Sequence, residues 1–118
     1  MLKRAKKRYL AIKVEMKTFP HKRDVMNAVW SSLLGLFGEY GASQVGLVLI
    51  DYSTETGHLV LRCSNTAMSL LRVALVSVTQ IEREKVYLRV ISISGTLRAL
   101  RKKIEYYEKN SGNLEEDL

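Results

Sequence analysis

Apolar side chains along these 118 residues switch between a period of two and a period of about 3.6 in a fixed order, and that order leaves few folds open. Across residues 9–16, Leu10, Ile12 and Val14 point one way and Tyr9, Ala11 and Lys13 the other, which predicts a half-buried strand. Pro20 suits the first turn of a helix, where its missing N–H costs nothing. Val25, Met26, Val29, Trp30, Leu33, Leu36, Phe37 and Tyr40 then recur at three- and four-residue spacings. Gly41 is placed to end that helix in a left-handed cap. A strand is expected over about 44–51, a turn over 53–57 (STETG), and a partner strand over 58–63 (HLVLRC). Ser64, Asn65 or Thr66 can cap a second helix through Met68, Leu71, Ala74, Leu75 and Val78. Residues 80–85 read as a polar connection and 85–93 (KVYLRVISI) as a fourth strand, broken by Gly95 and Thr96. A third helix follows, with Leu97, Leu100, Ile104 and Tyr107 along one stripe.

Strand, helix, hairpin, helix, strand and an added helix make a β-α-β-β-α-β core with a C-terminal extension. Right-handed crossovers then predict an α+β sandwich, ferredoxin-like or RRM-like, with a four-stranded antiparallel sheet and one added C-terminal helix. The chain reads as a single domain, with a basic arm over 1–8, a core over 9–109 and a mobile acidic tail over 110–118. On the same alternation, Tyr9, Ala11, Lys13, Val60, Arg62, Tyr87, Arg89 and Ile91 lie on the sheet face away from the first two helices. RRM domains stack bases on aromatics of their two central strands. Here the third strand offers only Val60 and Arg62 there, and Tyr9 sits at the edge of the first. Base stacking on this face is not expected. It should pack against the third helix or a protein partner.

Charge is strongly polarised. Residues 1–23 carry Lys3, Arg4, Lys6, Lys7, Arg8, Lys13, Lys17, Lys22 and Arg23 against Glu15 alone, whereas the remainder is close to neutral. A one-sided positive field favours polyanionic partners. Each cation that neutralises an RNA phosphate releases counterions, with a salt slope of about −0.7 per contact on single strands. The Ser94-Gly95-Thr96-Leu97-Arg98 turn is a second candidate, because a helix start offers free N–H groups and Arg98 adds a planar donor pair for phosphate. Its simpler reading is N-capping by Ser94 or Thr96.

Little in the sequence points to catalysis by the chain itself. Its histidines are His21 and His58; His58 could meet Asp51 across the hairpin, but a polar surface role explains it as well. Cys63 is the only cysteine, so no internal disulfide can form, and it reads as a small core residue. No phosphate loop and no metal-ligand spacing is present. The longest apolar runs, Val45–Ile50 and Val73–Val78, are too short to span a bilayer, and the N-terminus lacks a secretory pattern. A cytoplasmic chain without a membrane partner is expected.

Several stretches are recognisable together: Lys7-Arg8-Tyr9-Leu10, Leu36-Phe37-Gly38-Glu39-Tyr40-Gly41, Gly46 through Asp51-Tyr52 to Thr56-Gly57, Leu61-Arg62-Cys63, Leu71-Arg72-Val73-Ala74-Leu75 and Ser94-Gly95-Thr96-Leu97-Arg98. In order and spacing the chain resembles the archaeal ribonuclease P protein component 2 family from about residue 7 to 101. The resemblance implies an accessory protein in an RNA-based endonuclease that removes 5′ leaders from precursor tRNA. It implies that the RNA holds the catalytic centre with its Mg2+, and that no cofactor is bound by this chain. It implies a larger, barrel-shaped protein partner, often in a two-plus-two assembly with self-association, and only indirect contact with precursor tRNA. The basic leader aligns with no family motif, and its RNA role rests on charge. Candidate protein-interface residues are Leu97, Leu100, Ile104 and Tyr107, or the small residues Ser31, Ser32 and Gly35 of the first helix. The rival expectation is a ferredoxin-like ligand sensor that homo-oligomerises through its sheet. An acylphosphatase-like hydrolase would need a glycine loop that residues 16–20 (MKTFP) do not supply.

Overall fold

The structure, a computed structural model, describes residues 6–116. From the N-terminus come β1 (Lys7–Glu15), α1 (Lys22–Val45), β2 (Val48–Ser53), β3 (His58–Ser64), α2 (Met68–Ser77), β4 (Gln80–Ile81), β5 (Glu84–Lys85), β6 (Tyr87–Ser94) and α3 (Leu97–Glu116). The four long strands form one antiparallel sheet in the order β2-β3-β1-β6, as the sequence predicts for a ferredoxin-like α+β fold.

Alternation sorts the strands onto two faces. Leu10, Ile12 and Val14 of β1, with Leu59, Leu61 and Cys63 of β3, meet Val25, Val29 and Leu33 of α1 and Leu71, Ala74 and Leu75 of α2 in the main core. On the other face Ala11 and Val60 meet Leu100 of α3, flanked by Tyr9, Ile50, Ile91, Leu97 and Ile104. The sheet is therefore covered on both sides. A sensor that oligomerised through its sheet would need that second face open, and α3 occupies it.

Element boundaries differ from the sequence reading in six places, each with a local cause. Pro20 lies just outside α1, one residue before the N-cap His21. Gly41 does not end α1. Gly38 adopts φ 72°, ψ 178° and breaks the helix internally, a short segment resumes, and Gly46 (φ 59°, ψ 42°) supplies the left-handed cap. Gly41 is instead a close-approach residue, since a Cβ there would stand 2.6 Å from Phe37 Cβ. The longer helix pushes β2 to Val48–Ser53. No side chain caps α2: a 3-10 turn over Asn65–Ala67 precedes it, and Ser64 and Thr66 hydrogen-bond each other at 2.9 Å. Residues 80–85 form the β4–β5 hairpin, turning on Glu82 and Arg83, both at positive φ. Finally, α3 runs to Glu116 and takes in Asn110–Glu116, which the sequence assigns to a tail.

Candidate nucleic-acid interface

Strand β1 cuts the basic leader in two. Lys6, Lys7 and Arg8 sit at its start, whereas Lys17, Lys22 and Arg23 follow its end. Nine extended residues hold the groups about 26 Å apart. Lys13, in mid-strand, is already engaged: its Nζ donates to the Thr56 carbonyl at 2.6 Å. Lys3 and Arg4 lie outside the described residues. The single basic leader of the sequence is thus two poles.

At the first pole the chain enters the sheet beside the turn into α3. Arg8 Nη1 donates to the Lys7 carbonyl at 3.0 Å and lies 3.3 Å from where a Gly95 Cβ would stand, so the guanidinium rests against that glycine. Lys7 Nζ reaches the Gly46 cap in the same way, 3.8 Å from its would-be Cβ. Thr96 caps α3: its Oγ1 accepts from the Ala99 N–H at 3.2 Å and its carbonyl from the Leu100 N–H at 3.1 Å. The Ser94–Arg98 turn is therefore a capped helix start, and Arg98 stands exposed in its first turn. Arg62, opposite Tyr9 in the β1–β3 register, belongs to this end of the sheet, and its Nε is buried without a hydrogen-bond partner. Only the strand register reveals Arg62 as part of the pole.

At the second pole Lys17 shares an open cleft of about 290 Å³ with Arg83, Glu84 and Lys85 of the β4–β5 hairpin. Lys22 and Arg23 are exposed in the first turn of α1, with Asp24 beside them. Cations at a helix start oppose the helix dipole, so their placement concentrates positive potential at some cost to the fold.

The apolar stripe of α3 faces inward. Leu100 is fully buried, and Leu97 and Ile104 pack around it on the sheet. The Tyr107 hydroxyl accepts from Arg89 Nη2 at 3.2 Å, while Arg89 also pairs with Glu15 at 2.8 Å. Lys103 Nζ donates to the Ile93 carbonyl at 2.8 Å. Leu97, Leu100 and Ile104 are thus intramolecular core, because β1, β3 and β6 present the matching apolar face, whereas Tyr107 lies half-buried at the edge of that packing. Ser32 likewise is spent inside the fold, its Oγ donating to the Ala74 carbonyl of α2 at 2.9 Å. Apolar surface is left uncovered at the α1 break, where Leu34, Leu36 and Tyr40 are 45%, 49% and 79% exposed, and also at Phe19, at Val73 and Val76 of α2, at Val48 and Tyr87 of the sheet and at Tyr106 of α3.

His58 meets Glu108 of α3, its Nδ1 3.1 Å from Oε1, and not Asp51. Burial beneath α3 lowers its pKa from 6.5, Lys13 adds to the fall, and Glu108 opposes it. The folded chain therefore binds this proton less readily than the unfolded chain. The contribution of His58 to stability is full above about pH 6.5 and is lost as the pH falls through the lower, folded value. Urea titrations at pH 7 and pH 5 should show this loss in the wild type and a smaller one in His58→Gln; equal losses would sink the assignment. Burial also raises the Cys63 thiol pKa, which suits a core residue. Among the described residues no three His, Cys, Asp or Glu side chains gather as metal ligands, and no helix is long and apolar enough to cross a membrane.

Comparison with known proteins agrees with this architecture. Residues 8–105 match the family model described as the Rpp14/Pop5 family. Ribonuclease P protein component 2 of Pyrococcus furiosus is 31% identical over 102 residues, covering 85% of this chain and 83% of that protein. The protein of the same name from Methanobrevibacter smithii is 29% identical over 109 residues, covering 86% and 91%. That of Methanococcus vannielii is 34% identical over 101 residues, covering 85% and 75%. In fold, a chain from the cryo-EM structure of yeast Ribonuclease MRP superposes with a TM-score of 0.64 at 9% identity, over 97% of this chain and 99% of that one. A split β-α-β core, its rear face roofed by α3 and its first strand tipped with cations at both ends, is thus the form that this sequence gives to the Rpp14/Pop5 family, to which the chain belongs.

Proposed function

We propose that this chain works in an archaeal ribonuclease P as an accessory subunit that grips the folded catalytic RNA, while the RNA itself cuts precursor tRNA. The observation that carries the reading is the first pole: Lys6, Lys7, Arg8, Arg62 and Arg98 gathered at one end of β1 in a member of a family whose archaeal relatives are ribonuclease P components. With α3 closing the rear face of the sheet, bases cannot stack on that face, and the exposed cations at its rim are placed for phosphate contact instead. Reconstitution tests it. Ribonuclease P RNA and its companion proteins should cleave precursor tRNA faster at limiting Mg2+ when this chain is added, and the gain should vanish at high salt. Equal rates with and without the chain would overturn the proposal.

Leu34, Leu36 and Tyr40 at the α1 break supply the surface for a protein companion in the same reading. The resemblance to component 2 proteins points to the larger, barrel-shaped subunit as that companion, in a two-plus-two assembly that includes contact between two copies of this chain.

A further inference from the structure

Phe19 is a large apolar side chain left 43% exposed in the short connection between β1 and α1. It is not loose. Thr18 Oγ1 donates to Glu84 Oε2 at 3.0 Å on one side, and the Tyr52 hydroxyl donates to the Pro20 carbonyl at 2.7 Å on the other. Pro20 also restricts the backbone of the residue before it to extended conformations. The ring rests on Gly57 so closely that a Cβ there would stand 2.8 Å from Phe19 Cε1. One side of the ring is seated on the β2–β3 turn and the other is offered to solvent. A ring held this way loses little freedom when something stacks on it.

Its neighbours say what would stack. Lys17 precedes it and shares a cleft with Arg83 and Lys85, and Lys22 and Arg23 follow it, all at the second pole. Glu84, the acid within that cleft, is held in place by the Thr18 hydroxyl, which does not neutralise it, so three cations face one carboxylate there. Aromatic faces set among backbone-tracking cations are how proteins hold unpaired nucleic acid without reading its sequence.

We propose that Phe19 is a stacking platform for an unpaired RNA base, with Lys17, Lys22 and Arg23 holding the flanking phosphates. This deepens the RNA-binding reading above and rests on it, but it uses the opposite end of β1. The site takes a flexible single-stranded segment, whereas the first pole takes phosphates of folded RNA.

The test uses the full chain and an eight-nucleotide oligoadenylate carrying one 2-aminopurine, with an RNA duplex of equal length as control. F19L keeps an apolar side chain over Gly57 but removes the π face. It should weaken binding of the single strand about 5- to 150-fold and abolish the stacking-induced quench of 2-aminopurine. It should leave duplex binding and the salt slope unchanged, and F19Y should bind as the wild type does. K17Q/K22Q, which leaves the ring's seat intact, should reduce the slope by about 1.4. Wild-type affinity of F19L for the single strand overturns the platform, and so does an unchanged slope in K17Q/K22Q. So does an F19L chain that binds RNA normally but no longer assembles with its protein companion, which would make Phe19 a protein contact. None of these results touches the first pole, whose failure would show in reconstituted cleavage instead.

Discussion

Leu100→Ala should lower the stability of the folded chain by about 2–5 kcal/mol, the range for truncating a buried leucine that leaves a cavity. Among the described residues Leu100 is the one fully buried α3 side chain in the small rear core, where Ala11 and Val60 supply the opposing surface. The other ties of α3 to the sheet are the partly buried Leu97 and Ile104, the contact of His58 with Glu108, and the exposed bonds from Arg89 to Tyr107 and from Lys103 to Ile93, and exposed polar contacts contribute little. Equilibrium urea unfolding gives the loss. Amide exchange gives its location, with α3 opening more readily while Leu10 and Leu61 on the central strands stay protected. A variant within 0.5 kcal/mol (roughly the range of surface substitutions) would mean that α3 is not packed as described.

The second large effect concerns RNA. Replacing Lys6, Lys7 and Arg8 together by alanine should reduce the slope of log affinity against log salt by about 2, three phosphate contacts at about 0.7 each. Removing only Arg98 should take away about 0.7. Neither change touches the main core, since Lys6, Lys7 and Arg98 are exposed and Arg8 is only partly covered. Unaltered thermal melting together with a flattened slope would place the phosphates at this end of β1. An unaltered slope would mean that the cations there serve some other partner.

The order of elements was legible because each strand and helix keeps its own apolar period, and β1 shows it best, with Leu10, Ile12 and Val14 buried on one side. The destination of the α3 stripe was not legible. Periodicity says that Leu97, Leu100 and Ile104 share a face, but not whether the surface they cover belongs to this chain or another. The β4–β5 hairpin escaped notice because its turn residues, Glu82 and Arg83, are not types that usually accept positive φ. Gly38 and Gly46 are not singled out because Gly41 stands between them as an equally good stop, and a break is set by backbone angles that the sequence does not display. The candidate site suffered most. Nine cations counted along a line look like one patch until a strand is seen to run through the middle of them. Phe19 stands outside every periodic segment, so the sequence gives it no face, and its seat on Gly57 is a contact made only in the folded chain.

The length of β1 has a consequence for which nucleic acids suit this protein. A strand locked between two neighbours by hydrogen bonds on both sides cannot stretch, so it acts as a gauge block with a cationic jaw at either end. An RNA already folded so that its contact points match that gap gains the second jaw as an intramolecular event, at high effective concentration. A slack RNA must first give up conformational freedom to satisfy both. In the RNA-binding role proposed above, discrimination between a correctly folded RNA and its misfolded competitors would come from a fixed distance, without a single base edge being read.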